Sequence, residues 1–175
     1  MKKILLFIAV LFISGQSYGQ IAAGAGISYG FDSDFGNAGI NIRGMYTEIT
    51  DNLDGVLGIN IFFPQTFGSA PFEVKYSIWT LNFDAHYNVP VGDASKVYPL
   101  AGINIANAKV KSETTVPFFG TTSSEATDSS FGFNIGAGGS TSLSDVISAF
   151  IEIKYVVGDY DQPVGTAGIL YHFGQ

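Results

Sequence analysis

Val164-Gly165-Thr166-Ala167-Gly168-Ile169-Leu170-Tyr171-His172-Phe173 is a strand written in two interleaved registers. Successive side chains of a β-strand point to opposite faces, so Ile169, Tyr171 and Phe173 share one face while Thr166, Gly168 and His172 share the other. The same period-two pattern extends back through the chain. Eight segments carry it, near 21–31, 38–49, 56–63, 75–88, 97–108, 130–141, 146–157 and 165–173. Each is close to the roughly 9 to 11 residues that a tilted strand needs to cross the hydrocarbon of a bilayer.

One face collects Ile40, Ile42 and Tyr46, Leu57, Ile59, Ile61 and Phe63, and Trp79, Leu81, Phe83 and Tyr87. It continues through Ile103 and Ile105, Phe131, Phe133 and Ile135, and Ile151, Ile153 and Tyr155. The opposite face collects Gly24, Gly26, Ser28, Asn41, Arg43, Gly58, Asn60, Thr80, Asn82, Asp84, Asn104, Asn134, Gly136, Gly138, Glu152 and Lys154. Alternation alone does not say which face points outward, because a soluble ligand-binding barrel of the lipocalin type turns its apolar face inward. Composition decides. Charged residues make up 13 % of the chain, about half the usual share of a soluble domain. The non-apolar face is mostly glycine, serine and asparagine, which suits a narrow lumen rather than a water-facing exterior. The apolar face is therefore expected to meet lipid, with Tyr46, Trp79, Tyr87, Tyr155 and Tyr171 as interfacial girdle residues.

The connections alternate in kind. Thr50–Gly55, Pro90–Lys96 and Ser142–Asp145 read as short turns, whereas Pro64–Val74 and Lys109–Ser129 are longer. Short turns on the periplasmic side and longer loops outside are the pattern of transmembrane barrels. At the other end of the chain, Met1-Lys2-Lys3, the apolar run Ile4–Ile13 and the small residues Ser17 and Gly19 have the three-part form of a cleavable signal peptide. The expected division is a signal peptide over 1–19 and a barrel domain over 20–175. The run is too short for a membrane helix, which needs about 20 apolar residues. With no cysteine, neither lipoprotein processing nor a disulfide framework is available. A formal net charge of −7 argues against nucleic acid as a partner.

On these residues the chain resembles the OmpA/OmpX-type eight-stranded outer-membrane barrels, the outer membrane protein beta-barrel domain or porin family. The resemblance covers essentially all of residues 20–175. Its most specific element is the terminal assembly signal, carried by Thr166, Gly168, Tyr171 and Phe173, although here Gly174 and Gln175 follow the last aromatic residue. It implies an all-β, antiparallel up-and-down transmembrane barrel in the outer membrane, monomeric, in contact with outer-membrane lipid and read by the barrel assembly machinery.

Several groups carry chemistry and a structural alternative. Arg43, Asp84, Glu152 and Lys154 have lumen parity, and charges in so dry a space should pair. Such pairs plug the lumen or gate an ion path. His86 and His172 also have lumen parity, near the periplasmic ends of opposite walls, which suits hydrogen bonding more than catalysis or metal ligation. Asp32 and Asp34 precede strand two and Asp159 and Asp161 precede strand eight, so barrel closure brings four carboxylates to one rim. A solvated acidic rim and a divalent-cation site are the two readings. Phe118 and Phe119, in the middle of the longest connection, are candidate contacts for an extracellular partner. No catalytic nucleophile and base, cofactor site or committed metal site is read from the sequence. The expected function is thus a small, non-enzymatic, plugged outer-membrane barrel with a structural or surface-interaction role. A low-conductance pore for ions or very small solutes and a soluble lipocalin-like carrier are the alternatives.

Overall fold

The computed structural model describes residues 21–31, 36–69, 71–116 and 120–173. Among them ten strands form: β1 (Ile21–Gly30), β2 (Asn37–Thr50), β3 (Leu53–Phe62), β4 (Gln65–Ser69), β5 (Phe72–Tyr87), β6 (Val89–Pro90), β7 (Ser95–Val116), β8 (Gly120–Ser142), β9 (Ile147–Gly158) and β10 (Gln162–Phe173). Eight of them close a ring in the order β1-β2-β3-β5-β7-β8-β9-β10, with β4 and β6 as short additions beside β5 and β7. Every pairing is antiparallel, and β1 meets β10 from Ile21↔Phe173 to Gly30↔Val164, which closes the seam. The expected signal peptide lies outside the described residues.

The expected faces are the observed ones. Ile27, Ile42, Phe133, Ile135, Ile151 and Ile153 are exposed on the barrel exterior, while Asn41, Asn60, Asn82, Asn104 and Asn134 are buried inside. A soluble carrier would require the reverse, so that alternative is overturned. Among the candidate girdle residues, Tyr46, Tyr87 and Tyr171 lie at the end of the barrel where the described chain begins and ends. Trp79 and Tyr155 lie toward the opposite end, as the registers of their strands require.

The structure corrects three boundaries. Residues 109–116 and 120–129 are strand: β7 and β8 remain paired without a break from Ser95↔Thr141 to Val116↔Gly120, a hairpin about twice the length needed to cross a bilayer. Pro64–Val74 also contains strand, because β4 pairs with β5, and β5 begins at Phe72. The Thr50–Gly55 turn contracts to Asp51-Asn52, since Thr50 already pairs with Leu53. Asn52 sits there at φ 63°, a left-handed backbone that asparagine tolerates better than most residues.

Two apolar layers bracket the lumen. Phe62, Val156 and Val164, with Ile78 against them, lie toward the long-hairpin end. Ala22, Met45, Val56, Phe150 and Leu170 lie toward the chain-terminal end. Between them the interior is polar, and small residues leave the room that its larger side chains occupy. A Cβ on Gly138 would stand 2.6 Å from the Tyr98 ring, and one on Gly102 would stand 2.2 Å from an Asp84 carboxylate oxygen.

Candidate functional site: the lumen network and the long-hairpin mouth

Parity delivers Arg43 from β2, Asp84 from β5, and Glu152 and Lys154 from β9 into the lumen, where all four are buried. Arg43 Nη1 lies 3.0 Å from Glu152 Oε2, and Lys154 Nζ lies 2.8 Å from Asp84 Oδ2. Each guanidinium and ammonium has further partners. Arg43 Nε donates to Asn41 Oδ1 at 2.8 Å, and its guanidinium carbon lies 4.0 Å from the centroid of the Phe150 ring. Lys154 also donates to Asn82 Oδ1 at 3.0 Å. Such satisfaction is what a buried ion pair requires, because its desolvation is offset only when the remaining donors and acceptors are used.

Neutral amides carry the network around the wall. Asn134 donates to Asp84 Oδ1 at 2.6 Å, and Asn104 donates to Asn82 Oδ1 at 2.8 Å. Higher up, Asn41 and Ser28 both donate to Asn60 Oδ1, at 2.7 Å and 3.0 Å. Ser28 and Thr166 share a hydroxyl–hydroxyl bond of 3.0 Å across the closing seam. Thr166 thus faces the lumen, while Tyr171 and Phe173 face outward as an edge-to-face pair with centroids 4.9 Å apart.

Several buried lumen residues escaped the sequence reading, Asp54 and Tyr98 among them. Asp54, 1 % exposed, accepts the backbone N–H of Glu48 at 2.9 Å and the ammonium of Lys96 at 2.9 Å. It holds the irregularity at the end of β2, where Glu48 adopts φ 56°. Tyr98 stacks on His86 with ring centroids 4.3 Å apart and planes 10° from parallel. His86 Nε2 lies 3.7 Å from Glu152 Oε2, which is too long for a hydrogen bond. Asp54 stands two residues before Val56, and Tyr98 two before Leu100. Tyr98 lies within the segment 97–108 at the parity of Asn104, and Asp54 is one step of lumen parity beyond the segment 56–63, so following the parity to each strand end finds both.

His172 bonds Ser148 Oγ through Nε2 at 2.7 Å at the chain-terminal mouth. At the opposite mouth, Asp159 accepts from Ser130 at 2.9 Å, Asp161 from Tyr155 at 2.7 Å, and Asp128 from Tyr160 at 3.0 Å. Asp32, Asp34, Phe118 and Phe119 lie outside the described residues. Among the described residues no three His, Asp or Glu side chains converge as a metal site.

A closed antiparallel ring with an apolar exterior belt and a polar, filled interior defines a small transmembrane β-barrel. The chain belongs to the outer membrane protein beta-barrel domain family, which matches residues 4–173. A major outer membrane protein from Thermus thermophilus has the same fold at 12 % identity and a TM-score of 0.70, over 89 % of this chain and 99 % of that one. OprG from Pseudomonas aeruginosa superposes at 14 % identity and a TM-score of 0.64, over 90 % of this chain and 97 % of that one. Ail of Yersinia pestis, in complex with the heparin analogue sucrose octasulfate, does so at 14 % identity and 0.63, over 89 % and 99 %. No curated protein matches the chain by sequence.

Proposed function

We propose that this outer-membrane barrel is a closed, non-catalytic scaffold that displays its long hairpin to partners outside the cell. The observation that carries the reading is the filled lumen. Among the described residues, two cross-lumen ion pairs and an amide network fill the interior between two apolar layers, as expected of a ring of eight strands. In barrels of this kind the short turns face the periplasm, so the β7–β8 hairpin stands on the outer side. On this reading residues 1–19 direct export, and Thr166, Gly168, Tyr171 and Phe173 present β10 to the assembly machinery. The barrel then works as a monomer in lipid.

Planar-bilayer recording of the purified barrel tests the plug. No conductance is expected from the native protein or from Arg43→Ala. Channel openings that appear on Arg43→Ala or Glu152→Ala would instead support a gated, low-conductance pore. Replacing residues 109–127 with a short turn tests the display role. The barrel should keep its heat-modifiable mobility while cells lose surface adhesion, and unchanged adhesion would overturn the reading.

A further inference from the structure

The β5–β7 pairing runs without a bulge from His86↔Leu100 to Phe72↔Thr114, so the two faces can be followed from the membrane into the projecting sheet. Thr80, Asn82 and Asp84 face the lumen. Phe72, Val74, Tyr76 and Ile78 therefore lie on the side that overhangs the mouth, while Glu73, Lys75 and Ser77 lie on the outside. The same parity puts Val110 inside on β7, and Lys109, Lys111 and Glu113 outside. Polarity has inverted along the strands. Within the bilayer the exterior is apolar, whereas beyond it the exterior is charged and the inner face is apolar. Such one-sided patterning is that of an antiparallel sheet with one face packed and one in water. Here Phe72 is 65 % exposed and Val74 38 % exposed.

That face runs into a cavity of about 260 Å³ at the mouth, lined by Phe62, Tyr76 and Ile78 on one side and Asp159, Tyr160 and Asp161 on the other. Among the described residues no lysine or arginine lines it. The hydroxyls of Ser130 and Tyr155 orient the Asp159 and Asp161 carboxylates without neutralising their charge. The hairpin lysines Lys109 and Lys111 pair with Glu125 and Glu113 on the outer face, away from the cavity.

We propose that the inner sheet face and the mouth cavity together bind a cationic amphipathic peptide segment. Its apolar side chains lie on the Phe72–Val74 wall. A lysine or arginine enters the cavity at the Asp159 carboxylate and the rings of Tyr76 and Tyr160, with Asp161 adding negative charge at the outer rim, so that charge attraction and the ring faces both favour a cation. An anionic partner meets the same carboxylates as a repulsion. This inference rests on the display reading and names the chemistry of its partner.

The test uses the full barrel in nanodiscs of zwitterionic lipid and a fluorescein-labelled peptide of alternating leucine and lysine, followed by anisotropy. Saturable binding is expected. The affinity should fall at least about tenfold in Asp159→Asn plus Asp161→Asn, fall similarly in Phe72→Ser plus Val74→Ser, and vanish for the leucine–glutamate counterpart. Both double variants should keep heat-modifiable mobility. Absent binding, equal binding to empty nanodiscs, or equal affinity in native protein and both variants overturns the proposal. None of those results bears on the adhesion of cells with the shortened hairpin, so the display reading stands or falls separately.

Discussion

Glu152 on β9 accepts a hydrogen bond from Arg43 on β2 at 3.0 Å, although β1 and β10 stand between their strands in the ring. The pair therefore ties together two walls that share no backbone ladder. Removing one partner leaves the other charged in a site where both residues are no more than 5 % exposed. Arg43→Ala is expected to cost about 3 to 5 kcal/mol of stability, as for other broken buried pairs. Arg43→Met combined with Glu152→Leu should recover most of that loss. Urea unfolding in detergent micelles, followed by the fluorescence of Trp79, measures both.

Small residues in the lumen are set by particular large neighbours, so their cost of substitution is local. A Cβ at lumen-facing Gly138 meets the Tyr98 ring at 2.6 Å, while at Gly44, on the lipid-facing side between Ile42 and Tyr46, it meets nothing within 4 Å. Gly138→Val should destabilise by about 1 to 3 kcal/mol through overpacking, and Tyr98→Ala should relieve it. Gly44→Ala should be close to neutral. The same unfolding assay compares the three, and equal losses at both glycines would contradict close packing of Gly138 against Tyr98.

The membrane-spanning strands were legible because one physical rule, alternation between lipid and lumen, governs them from end to end. Their extensions were not, because at Trp79 and Phe131 the rule changes sign. Phe72, Val74 and Tyr76 still alternate with Glu73, Lys75 and Ser77, but with the apolar side inward. A reading that follows one apolar face stops there and takes the rest as loop. Lumen charges Arg43, Asp84, Glu152 and Lys154 could be placed by parity alone. Which carboxylate meets which cation depends on barrel stagger, which a single strand's sequence does not contain. Asp54 was lost for another reason, since Asp51, Asn52 and Gly55 around it look like a turn.

The change of sign predicts where a charge is tolerated. Ile151 is 69 % exposed on the apolar belt, whereas Thr127 has the same outward parity on the projecting part of β8. Ile151→Lys should cost about 2 to 4 kcal/mol if it lies near the bilayer midplane, and Thr127→Lys should cost less than about 0.5 kcal/mol, as a surface change does. Refolding into lipid vesicles and titration with urea distinguish them.

Burial, and then the hydrogen bond it donates to Asp128, push the Tyr160 phenol up to about 12. A raised pKa means that the folded state holds the proton more tightly. The neutral phenol's contribution to stability is thus complete below the ordinary tyrosine value of about 10. It is lost as pH rises through about 12. An absorbance difference titration at tyrosinate wavelengths, native protein minus Tyr160→Phe, should show a step near 12 that moves toward 10 in Asp128→Asn. A step already at the ordinary tyrosine value in the native protein would show that the Tyr160–Asp128 contact is not held in solution.

Shared fold does not carry ligand preference, and the charges at the long-hairpin end make the difference measurable. Ail was solved with sucrose octasulfate, a polyanion. In this chain Lys109 and Lys111 are each within 2.8 Å of a glutamate, and Asp128, Asp159 and Asp161 surround the mouth. Lys75, beside Lys111 on the same outer face, is the one lysine there without an ion pair among the described residues, so a polyanion would have to displace the glutamates to gain more than that single charge, and would meet three carboxylates that lack a cationic partner among the described residues. Isothermal titration of the barrel with sucrose octasulfate at low ionic strength is therefore expected to show no binding, where screening is weakest and any attraction greatest. Glu113→Gln combined with Glu125→Gln frees both lysines and should create weak, salt-sensitive binding. Heat from the native protein would show that Lys75 and the paired lysines together outweigh the carboxylates of the mouth, and would refute the preference for a cationic partner.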